Sequence, residues 1–135
     1  MKKTVRSMVD DALQQVTTLS VDEARALHGQ PGVVFVDLRD PRELAREGAI
    51  PGAIHAPRGM LEFWVDTESP YHKPVFAQPG ARYLLFCAGG WRSALAALTM
   101  QQMGVENVAH LHGGFGAWKD AGAPVVDQPA PRSAG

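Results

Sequence analysis

The chain has 135 residues, with 13 Lys and Arg against 14 Asp and Glu and a net charge of −1. This length suits one domain, and the absence of a basic surplus excludes a dedicated nucleic-acid binder. Hydrophobic residues make up 45% of the chain, which excludes disorder as its main state. No apolar run approaches the roughly 18 residues that span a bilayer. Because Asp10 and Asp11 interrupt the start before an apolar segment forms, no signal peptide is indicated and we expect a cytoplasmic protein without a membrane partner.

The first 15 residues predict a helical extension ahead of the main domain. Residues 7–15 have the apolar spacing of a short amphipathic helix, and Ser7 is a suitable N-cap. The residues expected on its buried face are Met8, Ala12 and Leu13. The sequence leaves open whether this helix packs on its own domain or on a second copy.

Strands and helices alternate through residues 16–125, which predicts one α/β domain with a mainly parallel sheet. The run at 33–36 is apolar on both faces, as expected of a strand covered by helices above and below. Strands are predicted near residues 16–19, 33–36, 54–56, 83–86 and 108–111. Helices are predicted at about 20–28, 41–47 and 93–103, with a last helix that contains Phe115 and Trp118. Residues 126–135 are expected to be a disordered tail.

A long segment at residues 57–82 interrupts this alternation. It contains one or two predicted helical turns near Met60–Trp64, followed by Pro70, Pro74 and Pro79. A loop of this length in a compact domain is either functional, or an insertion, or a surface loop anchored by its aromatic residues.

Cys87 is the single cysteine of the chain, which excludes an internal disulfide, a CxxC redox pair and a multi-cysteine zinc site. It ends a predicted buried strand, and a predicted helix begins about five residues later. The residues around this turn are Ala88, Gly89, Gly90, Trp91 and Arg92. Small side chains leave the backbone N–H groups of such a turn free to surround an anion, and the helix N-terminus adds to the attraction. The pattern favours a nucleophilic thiolate over the alternative, a buried structural cysteine beside a structural arginine.

Other polar residues are weaker candidates. Arg58 follows a strand end and is a possible pocket-rim residue, although a solvated surface role is favoured for it. Glu62, in the segment at 57–82, is a weaker candidate for the rim. Asp37 is also a possible rim residue, but a local ion pair with Arg39 is the favoured interpretation. The histidines His110 and His112 alternate on one strand and lack a third ligand, so we interpret them as structural or rim residues and predict no metal site.

Four segments resemble the signatures of rhodanese-like sulfurtransferases, in the family's order. Residues 86–94 look like the active-site loop, and residues 111–118 look like the closing Gly-Gly…Ala-Trp motif. Residues 36–39 and 48–53 resemble the two N-terminal signatures, except that Ala49 stands where the family usually has His. We interpret this departure as a packing change, which leaves any role of that histidine unfilled. The resemblance implies a three-layer α/β fold with helices on both sides of the sheet.

The resemblance also implies transfer of sulfane sulfur through a persulfide on Cys87. The backbone N–H groups of the loop would stabilise the sulfur anion and Arg92 would position the donor. No metal or organic cofactor is implied. The donor is left open among thiosulfate, a small persulfide, mercaptopyruvate and a protein, and the acceptor among cyanide, a thiol and a protein. The oligomeric state is also open.

The sequence leaves two other functions open. A cysteine phosphatase or arsenate reductase of related fold resembles this pattern but has five residues between Cys and Arg, whereas Cys87 and Arg92 enclose four. The shorter loop favours sulfur over a tetrahedral phosphate. A non-catalytic binding module is the other alternative, but degenerate modules of this fold typically lose the cysteine that this chain retains.

Overall fold

A computed structural model describes residues 1–128 and contains one parallel sheet of five strands. The strand order is β1-β5-β4-β2-β3, and every pair of neighbours is parallel. The strands are β1 (Thr17–Leu19), β2 (Val33–Asp37), β3 (Ile54–His55), β4 (Arg82–Phe86) and β5 (Val108–Leu111). The predicted α/β class with a parallel sheet is confirmed, and each strand lies within one or two residues of its expected place.

Helices cover both faces of this sheet. They are α1 (Val5–Gln15), α2 (Val21–Leu27), α3 (Pro41–Glu47), α4 (Leu61–Val65), α5 (Trp91–Gln102) and α6 (Gly114–Asp120). Alternate residues of β4 point to opposite faces, so Leu85 packs with α4 and α5 while Leu84 packs with α2 and α6. The core therefore consists of two layers separated by the sheet, which confirms the three-layer architecture.

Helix α1 packs against α5 of its own domain through Val9, Ala12 and Ala94. Two details of the predicted helix are wrong. Its N-cap is Thr4, whose hydroxyl accepts the N–H of Ser7, because the helix begins two residues earlier than expected. The buried face contains Val9 in place of Met8 and Leu13, both of which are exposed. The amphipathic pattern permits more than one face, and packing against α5 buries the face that contains Val9 and Ala12.

The segment at 57–82 is anchored to the core. It contains a 3-10 turn at Arg58–Met60, helix α4 and a second 3-10 turn at Pro74–Ala77. Phe76 is buried and stacks on Tyr83 of β4, with 5.9 Å between ring centroids. This contact, together with the buried Leu61 and Val65, fixes both ends of the segment against the sheet.

The prediction that a disordered tail begins at residue 126 is wrong at Val126, because this residue is paired with the domain. Val126 forms an antiparallel bridge with Ala49, in which each N–H donates to the other residue's carbonyl. Ala49 is buried, and its backbone N–H and carbonyl both form hydrogen bonds in this pairing. The rest of the expected tail, at 129–135, lies outside the described residues. Within residues 1–128 the helices are all too short or too polar to cross a bilayer.

Candidate active site

Cys87 directly follows β4 at the carboxyl end of the sheet, where parallel α/β folds form their pockets. Its Sγ accepts the backbone N–H of Gly90 at 3.1 Å. Gly90 has a φ of +118°, a conformation that a side chain disfavours, so glycine is what allows this N–H to turn back toward the sulfur. The sequence predicted that the cysteine lies at this turn. In the structure the turn folds back so that the Gly90 N–H contacts the sulfur.

The loop opens to solvent above the sulfur. Cys87 is 1% exposed, whereas Ala88 and Gly89 are exposed. Trp91 and Arg92 are the first residues of α5, so their N–H groups have no acceptor within the helix. An anion at the loop would therefore meet unpaired N–H groups and the positive end of a 12-residue helix.

The back of the loop rests on the start of α6. The N–H of Phe115 donates to the Cys87 carbonyl at 2.8 Å, and the N–H of Gly116 donates to the Ala88 carbonyl at 3.1 Å. A Cβ added to Gly114 would lie 2.7 Å from the carbonyl carbon of Ala88. The Gly-Gly pair at 113–114 thus allows α6 to approach the loop closely enough to hold its carbonyls.

Arg92 forms a two-point salt bridge with Glu43 of α3. Its Nη1 and Nη2 lie 2.8 and 3.0 Å from the two carboxylate oxygens, and both side chains are partly buried. The pair lowers the pKa of Glu43, and it raises the pKa of Arg92, to which Cys87 adds a smaller effect in the same direction. Much of the guanidinium charge is therefore already balanced by Glu43. The predicted contact of Arg92 with a donor stays a prediction.

Ser93 and His110 lie behind the thiol, on the side away from the loop opening. The Ser93 Oγ lies 3.7 Å from the Cys87 Sγ and 3.0 Å from Nδ1 of His110. The other ring nitrogen of His110 lies 2.9 Å from the hydroxyl of Thr18 in β1. Ser93 and His110 are 0% and 2% exposed, so a chain of hydrogen bonds runs from the thiol through the core to the exposed Thr18.

Burial lowers the pKa of His110 from 6.5 to about 4, and the nearby His112 contributes. Below pH 6.5 the unfolded chain binds a proton on this ring that the folded chain excludes until about pH 4. The free energy of unfolding should therefore fall as the pH decreases through this window, by up to about 3 kcal/mol from this group. Urea unfolding at pH 7 and pH 4.5 measures the effect. The His110→Asn variant should lose less stability than the wild type between the two pH values. An equal loss in both proteins would show that His110 does not cause the pH dependence.

The rim candidates differ in their placement. Arg58 and Glu62 form an ion pair at 2.7 Å and are both partly exposed. The N–H of Arg58 donates to the carbonyl of Leu38, whose own N–H donates to the carbonyl of Phe86. These backbone bonds place Arg58 at the same edge of the sheet as Cys87, and the rim position of this pair stays a prediction.

Asp37 is not an accessible rim residue. It is 1% exposed, and its carboxylate accepts the Nε–H and Nη2–H of the buried Arg39. Arg39 also donates to the Gly48 carbonyl at 2.8 Å and lies over the ring of Phe115. The local ion pair that the sequence favoured is correct, and it connects β2 with the helix that supports the loop.

The two histidines near the end of β5 have different environments. His110 is buried, whereas His112 lies just past the strand and is exposed. Among residues 1–128 no group of three or more His, Cys, Asp and Glu side chains has a metal-binding arrangement.

Three residues that contact the loop or its arginine were not predicted from the sequence. Glu43 carried a signal, because it completes a capping box with Asp40 at the start of α3, but that pattern gives no hint of a pairing with Arg92. Ser93 was predicted at the start of a helix and lies in the segment that resembles the active-site loop, but no contact with the thiol was predicted. Gly114 belongs to the predicted Gly-Gly motif, and its contact with the loop depends on tertiary packing.

The chain is similar to a known domain family and to several known proteins. The model of the rhodanese-like domain matches residues 20–121. A sulfurtransferase of Allochromatium vinosum is 33% identical over 94 residues, covering 70% of this chain and 78% of that protein. An uncharacterised protein of Synechocystis is 33% identical over 84% of this chain, which spans 58% of that protein. A tRNA uridine(34) hydroxylase of Xanthomonas campestris is 35% identical over 74% of this chain, which spans 38% of its length.

Two solved structures extend the comparison. A protein of unknown function from Rhodopseudomonas palustris, described as a possible tyrosine phosphatase, is 51% identical with a TM-score of 0.91, covering 93% of this chain and 96% of that one. A thiosulfate sulfurtransferase from Pseudomonas aeruginosa is 26% identical with a TM-score of 0.74, covering 93% of this chain and 24% of that one. The matching loop, sheet and family model together lead to one assignment: this chain belongs to the rhodanese-like domain family.

Proposed function

We propose that this chain is a sulfurtransferase that carries sulfane sulfur as a persulfide on Cys87. The observation that carries the proposal is the hydrogen bond from the Gly90 N–H to the Cys87 Sγ, in a loop that ends at the start of α5. A group that donates to sulfur favours the anion over the thiol, and the same donor can stabilise a persulfide anion. The resemblance to a sulfurtransferase over 78% of its length supports the assignment.

In the first half of the reaction, the Cys87 thiolate attacks the outer sulfur of a donor such as thiosulfate. A bond forms between Sγ and this sulfur while the sulfur–sulfur bond of the donor breaks, and sulfite leaves with the electron pair. The N–H groups at the start of α5 face the site where negative charge remains. A small persulfide donor would react in the same way, with a thiolate as the leaving group.

In the second half, a nucleophilic acceptor removes the outer sulfur. Cyanide or a thiolate bonds to that sulfur, the persulfide bond breaks, and Cys87 regains its electron pair as a thiolate. Because the chain has one cysteine, the persulfide has no internal thiol with which to form a disulfide. We therefore propose an external acceptor, either a small thiophile or a protein, in the reducing environment of the cytoplasm.

A phosphatase is the second candidate, because the 51% identical structure is described as a possible tyrosine phosphatase. The loop from Cys87 to Arg92 encloses four residues, and Arg92 pairs with Glu43. The short loop favours transfer of a single sulfur atom over attack on a tetrahedral phosphoryl group, and the pairing with Glu43 engages the arginine that would otherwise hold the phosphate. One preparation should be tested for thiocyanate formation from thiosulfate and cyanide, and for hydrolysis of p-nitrophenyl phosphate. We expect the first activity, and phosphate ester hydrolysis alone would refute the proposal.

The salt bridge predicts a strong effect of Arg92→Ala. This change removes a cation near the sulfur and leaves the Glu43 carboxylate without its partner, so the anion and an anionic donor are both destabilised. We expect a loss of about 1.5–3 kcal/mol, which corresponds to roughly 10- to 150-fold in kcat/KM for thiosulfate. Steady-state kinetics with thiosulfate and cyanide measure this loss.

Two further variants complete that test. Arg42→Ala removes an exposed arginine of the same helix as Glu43 and should change the kinetics little. Glu43→Gln leaves the charge of Arg92 unbalanced, so a direct contact between Arg92 and the donor would lower KM for thiosulfate. Unchanged thiosulfate kinetics in Arg92→Ala would contradict any role of this side chain in donor binding.

A further inference from the structure

The hydroxyl of Ser93 lies among three polar groups in the core behind the thiol. The Gly90 carbonyl is at 3.2 Å, Nδ1 of His110 at 3.0 Å and the Cys87 Sγ at 3.7 Å. A hydroxyl has one hydrogen to donate and two lone pairs that accept. The direction of its hydrogen bonds must therefore depend on the protonation state of Cys87.

With a neutral thiol, the S–H of Cys87 can donate to the Ser93 Oγ, whose hydrogen then goes to the Gly90 carbonyl. After the thiol loses its proton, the sulfur can only accept. Ser93 must then turn its hydrogen toward the sulfur, and its oxygen needs a donor of its own. The Nδ1–H of His110 is the neighbouring group that can supply it.

The hydroxyl of Thr18 is placed to select the tautomer of His110. This hydroxyl lies 2.9 Å from Nε2, and a hydroxyl that donates there leaves the proton of the neutral ring on Nδ1. Burial lowers the pKa of His110 to about 4, so the ring stays neutral through the range in which thiols ionise. The chain of donors then runs in one direction, from Thr18 through His110 and Ser93 to the sulfur.

We infer that His110, oriented by Thr18, is a positioning residue that makes Ser93 a hydrogen-bond donor to the Cys87 sulfur anion. The inference rests on the proposed role of Cys87 as a thiolate nucleophile. His110 touches neither donor nor acceptor and acts through Ser93. The N–H of Gly90 stabilises the sulfur from the loop side, and Ser93 stabilises it from the core side.

The rate of Cys87 alkylation by iodoacetamide as a function of pH tests this relay, because thiolate is the reactive form. Every variant of the series keeps the surrounding charged and titratable groups: Arg92, which interacts with Cys87, its partner Glu43, the Asp37–Arg39 pair, and His112, which acts on His110. His110→Val should move the half-maximal rate to higher pH by about one unit, an approximately tenfold loss of rate at pH 7. Ser93→Ala should have a similar effect.

Two substitutions separate orientation from packing. Thr18→Val removes the donor to Nε2 at the exposed end of the chain, and should slow alkylation at pH 7 by about threefold, roughly half a pH unit. Thr17→Val, at the neighbouring exposed residue of β1, is the matched control and should react like the wild type. His110→Asn should restore most of the rate lost in His110→Val, because its amide can donate to Ser93.

Thermal unfolding of each variant identifies a purely structural effect. Lower stability with an unchanged alkylation profile in folded Ser93→Ala and Thr18→Val would overturn the relay, even if His110→Val fails to fold. Mass spectrometry after treatment with thiosulfate separates this inference from the proposed function. A protein that shows the expected alkylation profiles but takes up no sulfur retains the relay and loses the sulfurtransferase assignment.

Discussion

Replacement of Cys87 by Ser is expected to abolish sulfur transfer while leaving the fold intact. A serine hydroxyl can accept the Gly90 N–H that now points at the sulfur, so the loop retains its main internal contact. The hydroxyl is scarcely ionised near neutral pH and forms no persulfide. We expect turnover of thiosulfate and cyanide to fall by at least about a thousandfold, measured with the circular dichroism spectrum and thermal midpoint of the same sample.

A neighbouring substitution controls for disturbance of the loop. Ala88→Ser introduces the same hydroxyl at an exposed position of the turn and should retain most of the activity. Residual turnover in Cys87→Ser at more than a few per cent of the wild-type rate, with a normal thermal midpoint, would show that another group accepts the sulfur.

Gly114→Ala should damage both the stability and the activity of the domain. Gly114 has a φ of +61°, where an alanine costs about 1–2 kcal/mol. The added Cβ would also lie 2.7 Å from the backbone carbon of Ala88, and forced overlap in a packed region costs roughly 1–3 kcal/mol more. Since the overlapping atoms belong to the loop that holds Cys87, we expect at least a tenfold loss of sulfur transfer in the fraction that folds. Urea unfolding and steady-state kinetics measure the two effects.

Gly122→Ala provides the matched control for Gly114→Ala. Gly122 has a similar φ of +75°, but a Cβ there meets no atom within 4 Å. This control should show the backbone penalty alone and normal activity. Equal losses in the two variants would mean that contact between α6 and the loop does not determine the position of Cys87.

The sheet and the loop could be predicted from the sequence because local patterns encode them. The apolar run at 33–36 and the small residues at 88–90 each reflect a requirement of their own segment, burial on two faces in one case and an open turn in the other. The resemblance then joined these segments in one fold. The prediction that Asp37 pairs with Arg39 also needed only residues two positions apart.

The contacts that shape the site could not be predicted because they join distant segments. Glu43 is 49 residues from Arg92 and Thr18 is 92 residues from His110, and no periodicity links such positions. The buried face of α1 was wrong for a related reason. The amphipathic pattern permits more than one face, and packing against Ala94 of α5 selects Val9. Tertiary contacts determine these pairings and the buried face of α1, and sequence periodicity does not reveal such contacts.

The most direct test of the central claim is the intact mass of the purified protein before and after treatment with thiosulfate, with Cys87→Ser in parallel. Formation of a persulfide predicts a gain of about 32 Da, one sulfur atom, in the wild type alone. Cyanide or a thiol should remove this mass. No gain with thiosulfate or with a small persulfide donor, or an equal gain in Cys87→Ser, would contradict sulfur transfer through this cysteine.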